Sequence, residues 1–279
     1  MASVAGQVTS AFATATAVEA AGDGVWRATC DTAWSAPNGP NGGYLAAIVL
    51  RAMAAELDDP ARPARSLTCH YLRPPTDGEL RIALSVERAG RSVTVLSARV
   101  HQLTHPAGAC VVALGAFAVD RAAVADYAPS APEVRPAREV PVAAVPDAAP
   151  AIAHRFAVRP AIGAPPFSGA SAAVSGGWIR FADPHPVDAA ALAMYADAWL
   201  PAPFARLTAP VAAPTIDLTV HFRATGPAAA LSAAEPILAV FNSTTSAEGF
   251  FEEDGQLWSP DGVLLAHSRQ LALLVEPGR

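Results

Sequence analysis

The sequence predicts an α+β protein in which one structural unit occurs twice, each copy a long antiparallel sheet wrapped around a buried helix. Three observations support this prediction. Two apolar runs have the composition of helices, each is followed by β-rich segments broken by turn residues, and a Pro- and Ala-rich stretch separates the two series. A helix covering one face of an antiparallel sheet is an α+β arrangement.

The composition limits the classes of function. With 279 residues, 52% of them hydrophobic, the chain can build the cores of two domains. The net charge of −6 argues against nucleic acid as a partner. No apolar run reaches the roughly 18 residues that indicate a membrane span. The first residues lack the basic and apolar regions of a signal peptide, so we expect a cytoplasmic location.

The cysteines give no indication of a metal centre. Cys30, Cys69 and Cys110 are widely spaced and form no CxxC or Cys/His pattern of the kind that binds zinc. We expect each of them to be a small buried residue. The sequence therefore predicts neither a metal nor an organic cofactor.

A change in composition divides the chain into halves of similar length. The stretch from about Val119 to Pro150 is dense in Pro and Ala and shows no sustained period of 2 or 3.6 residues. We interpret it as a linker. The predicted division is an N-terminal domain at 1–120, a linker at 121–150 and a C-terminal domain at 151–279.

The first half is predicted to contain a strand, a buried helix and a series of strands. The strand is Val25–Cys30. The helix runs from Gly43 to Ala55, with Asn41 as its N-cap and apolar residues on nearly every face. The β segments that follow are Ser66–Leu72, Leu80–Gln102 and Cys110–Val119, with turns at Gly90-Arg91 and Pro106–Gly108.

The second half repeats this order. Strand-like segments at Ile152–Arg159 and Gly177–Phe181 precede a helical run at Ala189–Trp199, which Asp188 is expected to cap. The later β segments are Thr215–Arg223, Ile237–Ser243, Gly249–Trp258 and Val263–Val275, with turn signals at Gly226-Pro227, Asp254-Gly255 and Pro260–Gly262. The shared order of elements predicts a duplicated unit.

Short motifs in both halves resemble those of one family. Pro40-Asn41-Gly42-Gly43-Tyr44-Leu45 and His70-Tyr71-Leu72-Arg73-Pro74 look like the first domain of type II (TesB-like) acyl-CoA thioesterases. Three further segments resemble the second domain of that family: Ala196–Pro201, Pro214–Asp217 with His221-Phe222, and Ser268-Arg269-Gln270. The resemblance implies a tandem, or double, hot-dog fold, with the two halves pairing along their sheet edges within one chain.

The resemblance also implies an activity and a set of catalytic residues. In that family an Asp, a Thr and a Gln of the second domain hold the water that attacks a thioester. The matching positions here are Asp197, Thr215 and Gln270. The chain is thus expected to be a thioester hydrolase acting on a fatty or related acyl-CoA. The resemblance further implies a dimer of the whole chain, while no residue fixes the oligomeric state.

The chemistry of these residue types suits the reaction. Asp197 can accept a proton, and Thr215 and Gln270 can orient a water because both donate and accept hydrogen bonds. The helix start at Gly42 and Gly43 could present amides to the thioester carbonyl as an oxyanion site between the two halves.

Some assignments stay open at this level. Asp217 lies two residues from Thr215, would share its sheet face and competes for the role of base. His70 and His221 stand at equivalent positions of the two halves and are expected to serve the fold.

Two other functions remain alternatives. A hot-dog enoyl-CoA hydratase or dehydratase would need an Asp/His pair, and Asp183 and His185 are too close together for its spacing. A non-catalytic acyl-CoA or acyl-ligand binding protein is also compatible, because a fold alone does not define an activity.

Overall fold

The computed structural model describes residues 9–102, 108–224 and 231–276. The α-helices in these ranges are α1 (Ala11–Ala15), α2 (Gly42–Leu57) and α3 (Ala189–Tyr195). The strands of the first half are β1 (Glu19–Ala20), β2 (Val25–Cys30), β3 (Ser35–Ala36), β4 (Gly39–Pro40), β5 (Ala64–Tyr71), β6 (Gly78–Ala89), β7 (Val93–His101) and β8 (Val111–Ala118). Those of the second half are β9 (Phe156–Gly163), β10 (Ala173–Phe181), β11 (Thr215–Phe222), β12 (Ile237–Ser243), β13 (Ser246–Ala247), β14 (Phe250–Trp258) and β15 (Leu264–Leu273).

The described strands build one 13-stranded antiparallel sheet and the small β3–β4 pair. The order in the large sheet is β1-β2-β6-β7-β8-β5-β11-β15-β14-β12-β10-β9, with β13 paired to β14. The two halves join where β5 pairs with β11, and Thr68 and Thr219 share a hydroxyl hydrogen bond of 3.0 Å across this seam. Each half wraps one helix, which confirms the predicted tandem hot-dog arrangement.

Helix α2 forms the centre of the first half, as predicted. Asn41 Oδ1 accepts from the Tyr44 N–H, and the helix ends at Asp58, whose backbone is left-handed. Tyr44 and most of the residues that follow in the helix are buried, because α2 packs on the sheet on one side and on α3 on the other. The three cysteines are buried and free, also as predicted.

Three local predictions for the second half are wrong. Residues Ala151–Arg155 form a 3₁₀-helix behind Pro150, so the strand begins only at Phe156. Helix α3 ends at Tyr195 rather than continuing to Trp199. Asp254-Gly255 lies inside β14 instead of forming a turn, and glycine stands there because a side chain at Gly255 would collide with Ser268 and Phe241.

The predicted turn at Pro260–Gly262 is present between β14 and β15, with the Gly262 N–H bonded to the Ser259 carbonyl at 3.0 Å. The turn at Gly226-Pro227 and most of that at Pro106–Gly108 lie outside the described residues. Among the described residues, no helix combines the length and apolar character that crossing a membrane requires.

Residues 121–150 form an extended segment with one short 3₁₀-helix, Ala137–Glu139. The segment lies on the outer face of the second half, where Val140 packs with Trp178 and Trp258. The Trp178 Nε1–H donates to the Arg135 carbonyl at 2.9 Å. The Pro- and Ala-rich stretch therefore covers apolar sheet surface that would otherwise be exposed.

Candidate active site

The sheet of the second half carries two polar side chains on its inner face. Thr215 is the first residue of β11, and Gln270 lies on the neighbouring strand β15. A register shift between Thr215 and Asp217 places an extra residue in β11, so that Thr215 pairs with Ala272 and faces inward. The Thr215 hydroxyl donates to Gln270 Oε1 at 3.0 Å.

Asp217 lies on the opposite face. The prediction that it shares a face with Thr215 is wrong, because the extra residue interrupts the alternation of the strand. Asp217 pairs with Leu271 and His70, which are both exposed on the outer face. His221 is exposed on this face as well. Asp217 is therefore excluded as a base on the side of Thr215.

Asp197 follows the end of α3, and its carboxylate is held by the first half of the chain. Asn41 Nδ2 donates to Asp197 Oδ2 at 2.9 Å and to its backbone carbonyl at 2.7 Å. The Gly43 N–H donates to the same Oδ2 at 3.0 Å. The Thr215 hydroxyl lies beside the carboxylate. The structure thus brings Asp197, Thr215 and Gln270 together where the halves meet.

Asn41 serves both halves at once. Its Oδ1 accepts from the Tyr44 N–H at 3.0 Å and caps α2, while its Nδ2 holds Asp197. An asparagine side chain can do both because it carries an acceptor and two donors. The sequence predicted only the cap, since Asp197 is 156 residues away and no local pattern connects the two.

The start of α2 packs directly on the end of α3. A Cβ atom at Gly43 would lie 2.7 Å from the Met194 carbonyl oxygen. A Cβ atom at Gly42 would lie 2.9 Å from both Asp197 Oδ2 and Tyr71 Cζ. The close contact between the halves therefore leaves no room for a side chain at Gly43, whereas one at Gly42 would have to displace Asp197 and Tyr71.

The first-turn amides of α2 are directed toward Asp197. The sequence suggested that Gly42 and Gly43 would meet the carbonyl of a substrate. In the structure the Gly43 amide donates to Asp197, and the Gly42 amide also lowers the pKa of this carboxyl group. The positive end of the α2 dipole thus stabilises a side chain of the other half.

Burial raises the pKa of Asp197 to about 6, and this is the largest effect on the group. The amides of Gly43 and Gly42 and the Asn41 side chain act in the opposite direction, because they donate hydrogen bonds to the carboxylate. A carboxyl group with this pKa is ionised at neutral pH and is a stronger base than an exposed aspartate. It has the properties that a general base needs.

Glu253 extends the polar network beyond Gln270. It points inward from β14, is 3% exposed, and accepts from Gln270 Nε2 at 2.8 Å and from the Ala202 N–H. Burial raises its pKa to about 7. Sequence reasoning missed this residue. The available signal was a carboxyl group in strand alternation with the buried Phe251 and Leu257.

The start of α3 meets α2 at a second junction with different chemistry. Asp188 caps α3 and forms an ion pair with Arg51 of α2 at 3.1 Å. His185 bonds to Ser10 at 2.7 Å and packs against Phe12 of α1. These side chains fill the junction, so the described residues offer no second copy of the Asp–Thr–Gln arrangement.

The polar groups of the site can hold a water and accept its proton. The groups that converge are a carboxylate, a hydroxyl and an amide. The three cysteines are buried, and burial raises the pKa of each thiol. Within residues 9–102, 108–224 and 231–276, His, Cys, Asp and Glu form no group of three or more that could hold a metal ion. The tandem hot-dog fold and the polar groups where its halves meet agree with the class of double hot-dog thioester hydrolases.

The comparison with family models identifies the family. Residues 30–118 match the acyl-CoA thioesterase N-terminal domain, and residues 125–274 match the acyl-CoA thioesterase C-terminal domain. The chain belongs to the acyl-CoA thioesterase family and is a thioester hydrolase. No match was found among curated protein sequences.

Solved structures share the fold over nearly the whole chain. A protein of unknown function with a hot-dog fold from Alicyclobacillus acidocaldarius is 28% identical, with a TM-score of 0.86 and coverage of 97% of this chain and 100% of that one. Acyl-CoA thioesterase II TesB2 from Mycobacterium marinum is 19% identical, with a TM-score of 0.76 and coverage of 96% and 99%. The second similarity concerns the fold alone.

Proposed function

We propose that the protein hydrolyses a fatty or related acyl-CoA to the free acid and CoA, with a water activated where the two halves meet. The observation that carries the proposal is the Asp197 carboxylate. It is held by Asn41 and Gly43 of the first half and lies beside Thr215 of the second. A half-buried, hydrogen-bonded carboxylate at a junction of domains is typical of a catalytic base.

Asp197 acts as the general base in this proposal. It takes a proton from the water as the water oxygen attacks the thioester carbonyl, and the tetrahedral intermediate then expels the CoA thiolate. The raised pKa of about 6 supports this role, because the carboxylate is ionised at neutral pH and accepts a proton readily.

Thr215 and Gln270 position the water. They are bonded to each other at 3.0 Å, and both face the same side of the sheet as Asp197. Holding the water in line with the carbonyl reduces the entropy lost on reaching the transition state.

Gly42 and Gly43 remain the proposed oxyanion donors. Their amides lie at the positive end of α2, where a developing oxyanion is stabilised. Because the Gly43 amide also donates to Asp197, this role requires the carboxylate to release that amide when the thioester binds. Asn41 would still hold the carboxylate through Nδ2.

The hydratase alternative has less support than hydrolysis. His185 is bonded to Ser10, and Asp183 accepts from the Ala11 N–H at 2.6 Å, so both hold α1 in place. They lie before α3, whereas Asp197 lies beyond its end. Dimerisation of the whole chain and a cytoplasmic location are proposed from the family resemblance and the composition.

A panel of acyl-CoA esters of increasing chain length tests the function. We expect release of free CoA thiol, measured with a thiol-trapping dye, together with an equal amount of free acid. Hydration of an enoyl-CoA without thiol release would support the hydratase. Tight binding of acyl-CoA with no thiol release from any ester would support the non-catalytic binding protein.

A further inference from the structure

Glu253 is a buried carboxyl group that the proposed hydrolysis does not yet use. It stands on the inner face of β14, opposite Gln270 on β15. Gln270 Nε2 donates to one of its oxygens at 2.8 Å, and the Ala202 N–H donates to the other. An ionised carboxylate only accepts hydrogen bonds, so these two donors match it.

The requirement for a donor determines the orientation of the Gln270 amide. Because ionised Glu253 can only accept, Nε2 of Gln270 turns toward it and Oε1 turns toward Thr215. Oε1 is an acceptor too. The Thr215 hydroxyl must therefore direct its single proton to Gln270 rather than to Asp197.

This direction leaves lone pairs of Thr215 on the side of Asp197. The Thr215 oxygen and the Asp197 carboxylate then both act as acceptors toward a water placed between them. Such a water donates one proton to each of them, and its own lone pair remains available for attack on a carbonyl carbon.

We infer that Glu253 is a positioning residue, which sets the direction of the hydrogen bonds from the attacking water through Thr215 to Gln270. The inference rests on the proposed function. Glu253 touches neither the substrate nor the water, and no proton moves to it during the reaction. It acts by making one of the two orientations of the Gln270 amide favourable.

Glu253→Gln tests the inference, because the variant keeps the size of the side chain and adds a donor. The backbone N–H of Ala202 holds the oxygen of the new amide, so its NH₂ group faces Gln270 and that amide must turn round. Thr215 then accepts from Gln270 and directs its proton toward the water. We expect kcat to fall roughly 10- to 100-fold, the scale of one hydrogen bond to a charged group, with KM little changed.

The assay is done at about pH 8.5, where Glu253, with a pKa of about 7, is ionised in the wild type. Circular dichroism and the melting temperature confirm that the variant folds. Wild-type kcat in the folded Glu253→Gln variant would overturn the inference.

The swap variant Glu253→Gln/Gln270→Glu restores the original direction. The amide introduced on β14 would accept from Ala202 and donate to the carboxylate introduced on β15. The free oxygen of that carboxylate would again accept the Thr215 proton. We expect kcat to recover at least severalfold from the value of the single variant, each measured on the plateau of its pH profile. A folded swap variant no more active than Glu253→Gln would overturn the inference. If Glu253→Gln does not fold, the kcat of the swap variant is compared with that of the wild type, and a loss of roughly 100-fold or more in the folded swap variant would overturn the inference.

A double-mutant cycle with Thr215→Ala separates positioning from a general effect on the fold. If Glu253 acts through the Thr215 hydroxyl, Glu253→Gln has little further effect on kcat once that hydroxyl is gone. An equal loss in both backgrounds would overturn the inference. Wild-type protein that releases no thiol would refute the proposed function itself, whereas an active enzyme with an unaffected Glu253→Gln variant would refute only this role.

Discussion

Replacing Asp197 with Asn is expected to lower kcat about 10²- to 10⁴-fold, the usual contribution of a general base. The amide keeps an oxygen that accepts from Asn41 and Gly43, so the junction between the halves is preserved. KM should change little, because the proton is transferred only in the transition state. Thiol release from the best acyl-CoA substrate of the panel provides the measurement.

The stability of the Asp197→Asn variant should be equal to or higher than that of the wild type at neutral pH. The folded-state pKa of Asp197 is raised from 3.8 to about 6, so the ionised group costs stability as the pH rises through this window. A neutral amide removes this cost. Asp217→Asn is the matched control, because it alters a carboxylate on the opposite face, and it should retain kcat. Equal activity of wild type and Asp197→Asn would reject Asp197 as the base.

The second large effect, on both stability and kcat, is expected when Gly42 or Gly43 is replaced. In Gly43→Ala the new methyl group would lie 2.7 Å from the Met194 carbonyl oxygen, and this backbone atom can move only by separating α2 from α3. Overpacking of this kind costs about 1–3 kcal/mol. We expect a lower melting temperature together with a large loss of kcat, because the amide of this residue also holds Asp197.

Gly42→Ala is the matched variant for comparison. Its methyl group would meet the side chains of Asp197 and Tyr71 at 2.9 Å rather than a backbone carbonyl. Because side chains move more easily, the melting temperature should fall less than in Gly43→Ala, while kcat should still fall through displacement of Asp197. Melting curves and kcat of the two variants check this order. An unchanged kcat in Gly43→Ala would show that close packing of the helices does not position the carboxylate.

Much of the fold was predictable because local signals agreed with one another. Asn41 before an apolar run predicted a capped, buried helix, and that helix is α2. Turn residues between β-branched segments predicted most strands of both halves to within a few residues. The exceptions have local causes, such as Pro150, which starts a 3₁₀-helix where a strand was expected.

The candidate site was less predictable, because its contacts depend on tertiary structure. The family resemblance pointed to Asp197, Thr215 and Gln270, and the structure brings these side chains together. Strand alternation alone would have placed Thr215 on the outer face with Asp217, and only the bulge in β11 turns it inward. No periodicity in the sequence marks that extra residue.

The long-range partners of the site could not be read from the sequence either. Asn41 contacts Asp197 from 156 residues away, and Glu253 contacts Gln270 from the neighbouring strand. The contact of Asn41 arises because β5 pairs with β11 and thereby brings α2 against the end of α3, and that of Glu253 arises because β14 pairs with β15. A residue pattern can indicate that a side chain is buried, but the identity of its neighbour follows from topology.

The pH dependence of kcat/KM is the most direct test of Asp197 as the base. A base with a pKa of about 6 must lose its proton to act, so kcat/KM should fall as the pH drops below about 6 and reach its plateau only above about 7, where Glu253 is ionised as well. Glu253 titrates nearby, with a pKa of about 7, so the profile is also recorded in Glu253→Gln, where the limb near pH 6 should persist. In Asp197→Asn we predict a low kcat/KM that no longer falls near pH 6. A fall near pH 6 in this variant like that of the wild type would contradict the account.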